Sequence, residues 1–437
     1  MKDRNRKNIL AAGGLWAAAA LAAAGCASYA PIEWQSRAVP EAQGLVAVAD
    51  GKPQQQRYKQ DPFQGVKPDW SQYRTYAYTD AKPEIPVTKA AMPKDLQGDA
   101  KEGRKIFMNR NLGPCTGCHL IRGEDVWPAG NIGSDLQQYG DAGHKDEEIY
   151  QRIFDARVLN PDSIMPPWGA SGGLTPQQIM HLVAFLKSQK GPLPPEKDAN
   201  RDPNTRAKPP GFGDNLDPTN NPAVLLAEEA EADWKKKGSK GKACADCHEA
   251  SPSKSMKGVG ARYPRFVAEH GRVMALEEFL MMHSPATTGI DMPSEGDLNL
   301  KMTVLVKMQS NGMPLALDLT GPEAKAALER GEKTFFKRVG QRNHACADCH
   351  LDEPGKGGNK FLGGRLLATR ESGMMNHFPT WRTNFSRIWD ARKRFQWCLL
   401  PLGMNYLPSD SVEYAELELY VASFGQGKPL SVPGIRH

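Results

Sequence analysis

The sequence contains three copies of the pattern Cys-x-x-Cys-His, at 115–119, 244–248 and 346–350. Two cysteines at this spacing can form thioether bonds with the two vinyl groups of one porphyrin, and the histidine that follows turns a ring nitrogen towards the iron. We therefore expect three covalently bound haem c groups. The attachment cysteines are Cys115, Cys118, Cys244, Cys247, Cys346 and Cys349, and the first axial ligands are His119, His248 and His350.

Two other uses of a Cys-x-x-Cys pair fit this sequence less well. A structural zinc site needs four ligands, and none of the three copies has a second pair at zinc-finger spacing. A thioredoxin-type dithiol requires neither the histidine that follows nor three repeats. The haem interpretation accounts for both features.

The N-terminal segment predicts export. Four basic residues and Asp3 precede an Ala- and Leu-rich run that ends in Ala24-Gly25-Cys26, which is typical of a lipoprotein signal peptide over 1–25 with lipidation of Cys26. An ordinary signal peptide and an uncleaved anchor are the alternatives, although the run is short for a spanning helix. We expect a periplasmic chain with a lipid tether to the membrane. The signal supplies half of the formal net charge of +6, and no basic block suggests nucleic acid.

One cysteine has no assignment once the haem and signal cysteines are removed. Of eight cysteines, this leaves Cys398, at the end of the stretch Arg392-Lys393-Arg394-Phe395-Gln396-Trp397-Cys398. Nearby positive charge lowers the pKa of a thiol and favours the thiolate, which is both a nucleophile and an iron ligand. The same charge would attract an anionic substrate. The alternative is an inert buried thiol beside a solvated charged surface.

A methionine in a proline-rich loop is the candidate sixth ligand of the first haem. Met165 lies in the loop over 160–168, where it precedes Pro166 and Pro167. A thioether ligand favours ferrous iron and raises the reduction potential. The alternative is a methionine that simply packs in an apolar loop.

The elements around the first motif predict one small cytochrome domain over 97–190. Gly103 and Phe107 lie on a first helix that leads into the motif. A last helix begins with Thr175 as N-cap and Pro176 at the first helical position. Its buried face is predicted to contain Ile179, Leu182, Val183 and Leu186.

The second half of the chain contains an internal duplication. Residues 243–248 and 345–350 are the same hexapeptide, Ala-Cys-Ala-Asp-Cys-His. Helix-like stretches precede the copies at 223–237 and 323–337, and a Gly-x-Pro-Leu sequence follows them at 312–315 and 427–430. A repeat of this kind predicts two related domains packed together.

We therefore predict a mainly α fold with three class I cytochrome c-like domains joined by Pro-rich linkers. After the signal, an extended arm covers 26–96 and the first domain covers 97–190. A Pro-rich linker over 191–222 leads to a tandem pair over 223–317 and 318–437.

Further segments appear in a fixed order on both sides of the linker. The first part carries Gly130-Asn131-Ile132-Gly133, Asp155-Ala156-Arg157-Val158 and the loop over 160–167. The second part carries 253–259, Arg262-Tyr263-Pro264, Gly271-Arg272-Val273, Arg394-Phe395 with Cys398, and 413–420. With the three haem motifs, residues 97–437 resemble the sulfur-oxidation (Sox) cytochrome AX complex, an L-cysteine S-thiosulfotransferase. The X-like subunit would be fused ahead of the A-like subunit, whose two domains are the tandem pair.

The resemblance implies an activity and roles for particular residues. Thiosulfate would be joined oxidatively to a cysteine of the carrier protein SoxYZ, and two electrons would pass through haem to a cytochrome c or another acceptor. Met165 would ligate the X-type haem. Cys398, found as a persulfide in the family, would ligate the active-site haem and act as covalent relay beside Arg394. Weaker candidates for binding thiosulfate are Lys393, His377 and Arg382.

The chain departs from the family pattern at the second haem. Where A subunits have a cysteine ligand after Gly-Arg-Val, this sequence has His283. The haem of His248 would then have two histidine ligands. Met282 is the alternative ligand, and a third interpretation is that neither residue binds iron.

Two other functions are compatible with the sequence. A thiosulfate dehydrogenase couples two thiosulfates to tetrathionate, uses a cysteine-ligated haem and needs no carrier. A non-catalytic multihaem electron-transfer protein would leave Cys398 inert or only an iron ligand.

Overall fold

The computed structural model describes residues 85–436, except for 110–111, 113–114, 124–125, 127, 194–197, 208–215, 340–342, 352–358 and 400–406. The predicted signal peptide, Cys26 and most of the arm over 26–96 lie outside this part. Within it, no helix is both long enough and apolar enough to cross a membrane. The described residues are mainly helical, as the sequence predicts.

The α-helices of the described residues are short to medium in length. They are α1 (Ala100–Met108), α2 (Cys115–Cys118), α3 (Asp146–Asp155), α4 (Pro176–Lys187), α5 (Pro222–Lys235), α6 (Ala245–His248), α7 (Pro252–Ser255), α8 (Leu276–Thr287), α9 (Asp297–Met308), α10 (Pro322–Phe336), α11 (Cys346–His350), α12 (Ala391–Leu399) and α13 (Val412–Ser423). Single 3-10 turns occur at Tyr139–Ala142, Ala156–Val158, Gly260–Arg262, Arg370–Ser372 and Thr383–Phe385.

Within the residues that the structure describes, the strands form three small sheets. Two are antiparallel hairpins, β1 (Arg265–Val267) with β2 (Arg272–Met274), and β3 (Phe361–Leu362) with β4 (Arg365–Leu366). The third has the order β6-β5-β7, built from β5 (Thr380–Arg382), β6 (Arg387–Trp389) and β7 (Gly434–Arg436). Because β7 pairs with β5 in parallel, it brings the end of the chain back to Arg382.

Around the first haem motif, α1 crosses α4. Thr175 and Gln178 form a capping box at the start of α4 with Pro176 inside the first turn, so the predicted helix start is confirmed. The four predicted core residues of α4 are buried. The crossing is close because α1 contains Gly103, where a Cβ would lie 2.0 Å from the backbone oxygen of His181. This pair of helices forms one wall of the cavity beside the first Cys-x-x-Cys-His motif.

The last part of the chain repeats this crossing with other residues. Helix α10 packs on α13, and a Cβ at Gly331 would lie 2.1 Å from the backbone oxygen of Glu416. Helix α5 packs in the same way on α9, through the buried alanines Ala223, Ala227 and Ala230. Helices α5 and α10 are the helical stretches predicted before the duplicated hexapeptides, so that prediction is confirmed.

The duplicated segments are joined to each other by backbone hydrogen bonds. The Leu315 N–H donates to Lys428 O at 2.9 Å, and the Leu430 N–H donates to Met313 O at 2.9 Å. The two halves also exchange core residues, since Ile388 and Val432 pack into the core around α5 and α9. The tandem repeat therefore folds as two interlocked halves.

A buried ionic network lies between these halves. Glu278 on α8 bonds to the guanidinium groups of Arg272 and Arg392, and Arg392 also bonds to Glu418 at 2.8 Å. All four side chains are nearly inaccessible to water. Because Arg392 lies on α12, this network fixes the position of the helix that carries Cys398 relative to the helix that carries His283.

Candidate functional site

The first and third haem motifs line one continuous cavity of about 1520 Å3. One end is lined by Cys115, Cys118, His119 and Met165, and the other by Cys346, Cys349, His350 and Cys398. Small-molecule pockets usually have volumes of roughly 300–1,000 Å3. The cavity is therefore large for one ordinary ligand, and each end has the side chains that a c-type haem requires.

At the third motif, His350 and Cys398 face each other. The ring Nδ1 of His350 lies 2.7 Å from Ala368 O. A carbonyl oxygen only accepts hydrogen bonds, so Nδ1 carries the hydrogen and Nε2 keeps its lone pair. The Cys398 side chain is within hydrogen-bonding reach of His350. His350, with a fixed tautomer, and the Cys398 thiol are the residues that would hold the iron of a haem attached to Cys346 and Cys349.

The environment of Cys398 favours its thiolate. Burial alone would raise the pKa of this thiol. The positive charge of Arg394, the neighbouring His350 side chain and the charge of Arg365 outweigh burial and lower the pKa to about 7. This environment is the one expected around a reactive thiol.

Four arginines surround this end of the cavity, namely Arg365, Arg382, Arg394 and Arg436. Burial is the main cause that lowers the pKa of Arg382, and the charges of the other three arginines add to it, so that the pKa is about 10. His377 lines the same wall. Burial, and to a smaller extent the charges of Arg436 and Arg382, lower the pKa of His377 well below its usual value, so its ring is neutral near pH 7. The wall is thus strongly electropositive and suits an anion of two negative charges.

Sequence reasoning missed Arg365 and Arg436. Arg365 reaches the cavity from the hairpin β3–β4, and Arg436 does so because it is the register partner of Arg382 in the β5–β7 pair. Neither residue lies in a recognisable motif, and a parallel pair of three-residue strands leaves little sequence signal. Only the long-range pairing identifies them.

Lys393 does not belong to this wall. Its ammonium group forms an ion pair with Glu295 at 3.0 Å and also bonds to Gln396. The side chain is absent from the lining of the cavity. The structure therefore does not bring Lys393 together with the other candidate residues for binding thiosulfate, because its charge is neutralised by Glu295.

At the first motif, His119 is oriented in the same way as His350. Its Nδ1 lies 2.7 Å from Ser134 O, which leaves Nε2 for a metal. A Cβ at Gly133 would lie 2.6 Å from the ring Cε1 of His119, so only glycine leaves room for the ring. Met165 lines the same end of the cavity. These residues fit a haem with histidine and methionine ligands.

The second motif lies apart from this cavity, beside α8. The rings of His248 and His283 have their centroids 5.9 Å apart. Two imidazoles that bind one metal through nitrogens at about 2 Å place their centroids about 6 Å apart. Phe279 stacks on His283 at 5.1 Å. Met282 instead packs with Val267 and Met274 on another side of the helix. The geometry therefore favours His283 over Met282 as the partner of His248.

The first and third sites are in direct contact. Gly363 donates a backbone hydrogen bond to Gly117 O at 2.8 Å, so the hairpin β3–β4 rests on the first motif. Cys118 is an electrostatic neighbour of Cys349 and, after burial, contributes to raising the pKa of that thiol. The two motifs are therefore neighbours along the cavity.

Comparisons with known proteins show which families two parts of the chain match. Residues 229–315 match the family model "SoxA/TsdA, cytochrome c domain", and residues 100–190 match the model "Cytochrome c". The L-cysteine S-thiosulfotransferase subunit SoxA of Rhodovulum sulfidophilum is 32% identical over 227 residues, which is 51% of this chain and 75% of that protein. The subunit SoxA of Pseudaminobacter salicylatoxidans is 32% identical over 220 residues, or 49% of this chain and 73% of that protein.

Among solved structures, the crystal structure of SoxXA from P. pantotrophus matches with 30% identity and a TM-score of 0.45, over 50% of this chain and 80% of that chain. The family models confirm cytochrome c domains over 100–190 and 229–315, and with them covalently bound haem c. The similarity to the first relative extends over three quarters of its length. The chain belongs to the SoxA family of L-cysteine S-thiosulfotransferase subunits.

Proposed function

We propose that this chain is a triheme cytochrome that conjugates thiosulfate oxidatively to a cysteine of a SoxYZ-type carrier protein. The observation that carries the proposal is the position of Cys398, which faces His350 at the electropositive end of a cavity shared with the first haem motif. An X-like domain over 97–190 and two A-like domains over 223–317 and 318–437, joined by the Pro-rich linker over 191–222, would each hold one haem c.

The four arginines would bind thiosulfate. A dianion that enters the cavity meets Arg394 and Arg382, with Arg365 and Arg436 on the same wall. Charge-assisted hydrogen bonds from guanidinium groups to sulfonate oxygens would orient the outer sulfur of thiosulfate towards Cys398. The neutral ring of His377 can add a hydrogen bond without changing the charge of the site.

Cys398 would form the covalent bond. Its thiolate and the outer sulfur of thiosulfate form an S–S bond, and this step releases two electrons. When bound, haem c supplies one-electron acceptors, and methionine ligation by Met165 makes the first haem the one of higher potential and the exit to a cytochrome c or another acceptor. The proximity of the two motifs, joined by the hydrogen bond from Gly363 to Gly117, supports transfer from the third site to the first.

The carrier would complete the reaction by exchange. Its cysteine thiolate attacks the outer sulfur of the thiosulfate held on Cys398, and the Cys398 thiolate leaves. In sum, one carrier thiol and one thiosulfate dianion give one S-thiosulfonate monoanion, one proton released to solvent and two electrons. A persulfide on Cys398, as in the family, would take the same part with its terminal sulfur.

We also propose that the chain works in the periplasm, attached to the membrane by a lipid on Cys26. This rests on the basic and apolar N-terminal segment and its ending in Ala24-Gly25-Cys26. At the second site, we propose His248 and His283 as the two axial ligands, supported by the distance between their rings.

A second candidate function is thiosulfate dehydrogenase. The matching family model covers the cytochrome c domain of both SoxA and TsdA proteins, and the same cysteine could join two thiosulfates to tetrathionate without a carrier. A non-catalytic electron-transfer protein accounts less well for four arginines around a thiol of lowered pKa.

The test uses the oxidised holoprotein with thiosulfate, in the presence and absence of carrier. Haem reduction is followed by absorbance and the carrier by mass spectrometry. In the presence of carrier, we expect the carrier to gain the mass of thiosulfate and the haem to be reduced. Both signals should be lost in Cys398→Ala and impaired in Arg394→Gln. Arg330→Gln, which removes an arginine paired with Glu416 away from the cavity, should leave both unchanged. Tetrathionate formed without carrier would instead identify the dehydrogenase.

A further inference from the structure

The loop that presents Met165 is held from outside its own domain. Within the loop, the Ser163 N–H donates to Asn160 O at 2.9 Å and the Met165 N–H donates to Ser163 Oγ at 3.2 Å. These bonds use the N–H groups of the turn. The carbonyl groups of residues 162, 163 and 164 bond instead to side chains from the last third of the chain.

Two side chains supply the donors. Arg338 donates from Nη2 to Asp162 O at 2.9 Å and from Nη1 to Ser163 O at 2.7 Å. His344 lies with Nε2 2.6 Å from Ile164 O, and because a carbonyl only accepts, this nitrogen carries the hydrogen. Three consecutive carbonyls immediately before Met165 are thus bonded by residues 175 to 180 positions away.

The two donors are themselves fixed relative to the third haem motif. Val339 and His344 exchange backbone hydrogen bonds at 3.0 and 3.2 Å. The Nη2 of Arg338 also lies 3.4 Å from Oδ1 of Asp348, which stands between Cys346 and Cys349 on α11. The other oxygen of Asp348 accepts from Ala345 N at 2.9 Å. The loop of Met165 is therefore connected through Arg338 to the helix that attaches the third haem.

We propose that Arg338 and His344 are positioning residues that hold Met165 as the sixth ligand of the first haem, a proposal that rests on the ligation of that haem by Met165. A thioether is an uncharged and weak ligand, so its occupancy depends on how firmly the backbone presents it. Without the three hydrogen bonds, the turn over 160–165 keeps only its local bonds. The first haem then has its high-potential ligand only while the last domain is docked on it.

The arrangement has a consequence for electron transfer. The same domain that contains Cys398 also determines whether the proposed exit haem keeps methionine ligation and hence a high potential. An X-like domain without this contact would lose the potential that draws electrons from the third site.

The test uses the full-length holoprotein and compares substitutions that keep the side chain at a similar size. Arg338→Met and His344→Leu remove the donors, whereas Arg338→Lys and His344→Gln keep a donor at each position. The readouts are the weak red absorption band of ferric haem with a methionine sulfur ligand, and the reduction potential of the first haem by redox titration. Arg330→Gln serves as a control for the loss of an arginine, and Met165→Ala as a control for the loss of the ligand. Haem content and circular dichroism verify folding.

We expect the double variant Arg338→Met/His344→Leu to lose most of the band and to shift the potential downward. The pair Arg338→Lys/His344→Gln should retain most of both signals. If Met165→Ala abolishes the band while the double variant keeps it at an unchanged potential, the positioning role is refuted and the ligation stands. If Met165→Ala leaves the wild-type spectrum unchanged, the proposed ligation itself is wrong.

Discussion

Removing the charge of Glu278 should destabilise the folded protein strongly. The Glu278 side chain is only 2% exposed and accepts hydrogen bonds from Arg392 at 2.6 Å, from Arg272, and from the backbone N–H of Ala275 at 2.9 Å. In Glu278→Gln, Arg392 would keep its ion pair with Glu418, whereas Arg272 would lose its ion pair with Glu278. Breaking a buried ion pair in this way costs about 3–5 kcal/mol, because a buried charge loses its direct counter-charge in a medium of low dielectric constant.

The matched control is Glu416→Gln. Glu416 also binds an arginine through two nitrogens, but the side chain of that partner, Arg330, is 56% exposed. Glu416 itself is only 9% exposed, but water solvates Arg330 when its partner is removed, so the loss should lie close to the contribution of about 0–1 kcal/mol made by an exposed pair. The two substitutions change the same chemical group, so the burial of the arginine partners is the main difference between them.

The assay is urea-induced unfolding of the oxidised holoprotein, followed by far-UV circular dichroism and by haem absorbance. We expect the free energy of unfolding to fall by at least about 2 kcal/mol more in Glu278→Gln than in Glu416→Gln. At about 2–4 °C for each kcal/mol in domains of this size, Glu278→Gln should also melt roughly 6–20 °C lower than wild type. If the free energy of unfolding falls equally in the two variants, the reasoning that burial makes the ion pairs of Glu278 costly to break is refuted.

Three further substitutions test other parts of the structure. Arg365→Gln should raise KM for thiosulfate about tenfold or more, since a hydrogen bond to a charged group contributes about 1.5–3 kcal/mol; an unchanged KM in steady-state assays would remove Arg365 from the site. Gly331→Ala should lower the free energy of unfolding by about 1–3 kcal/mol, because its Cβ would lie 2.1 Å from Glu416 O; an unchanged free energy in urea-induced unfolding would contradict this close packing of α10 on α13. Burial, followed by nearby carboxylates, raises the pKa of Asp390 to about 8, so its contribution to stability is present below pH 3.8 and is lost as the pH rises through about 8. Asp390→Asn should therefore make the free energy of unfolding less dependent on pH over this range. If urea-induced unfolding gives the same pH dependence for the wild type and the variant, the raised pKa is contradicted.

Local chemistry made several features predictable. The haem motifs specify their own ligands because thioether attachment demands a fixed spacing of two cysteines and a histidine. The start of α4 at Thr175 and Pro176 follows from capping chemistry within one turn. Cys398 was found by elimination, since each other cysteine had an assignment. The position of His283 was identified only as a departure from a family pattern, and the ring distance to His248 adds a geometric reason.

Other features depend on contacts between distant segments. Lys393 belongs to the same basic stretch as Arg394, yet its ammonium group is neutralised by Glu295, a residue almost one hundred positions earlier. Arg436 enters the site through a parallel strand pair with Arg382. No local pattern distinguishes a lysine or arginine that faces a cavity from one that faces a carboxylate.

The sequence by itself therefore determined the cofactor chemistry, the helical class and the candidate nucleophile, because each depends on residue types at short spacing. The tertiary structure decided which cations surround Cys398, and that the first and third haem motifs share one cavity. It also decided that the loop of Met165 is held by Arg338 and His344. The physical reason is that electrostatic fields and carbonyl hydrogen bonds depend on distance in space, and the chain brings these groups together only through long-range packing.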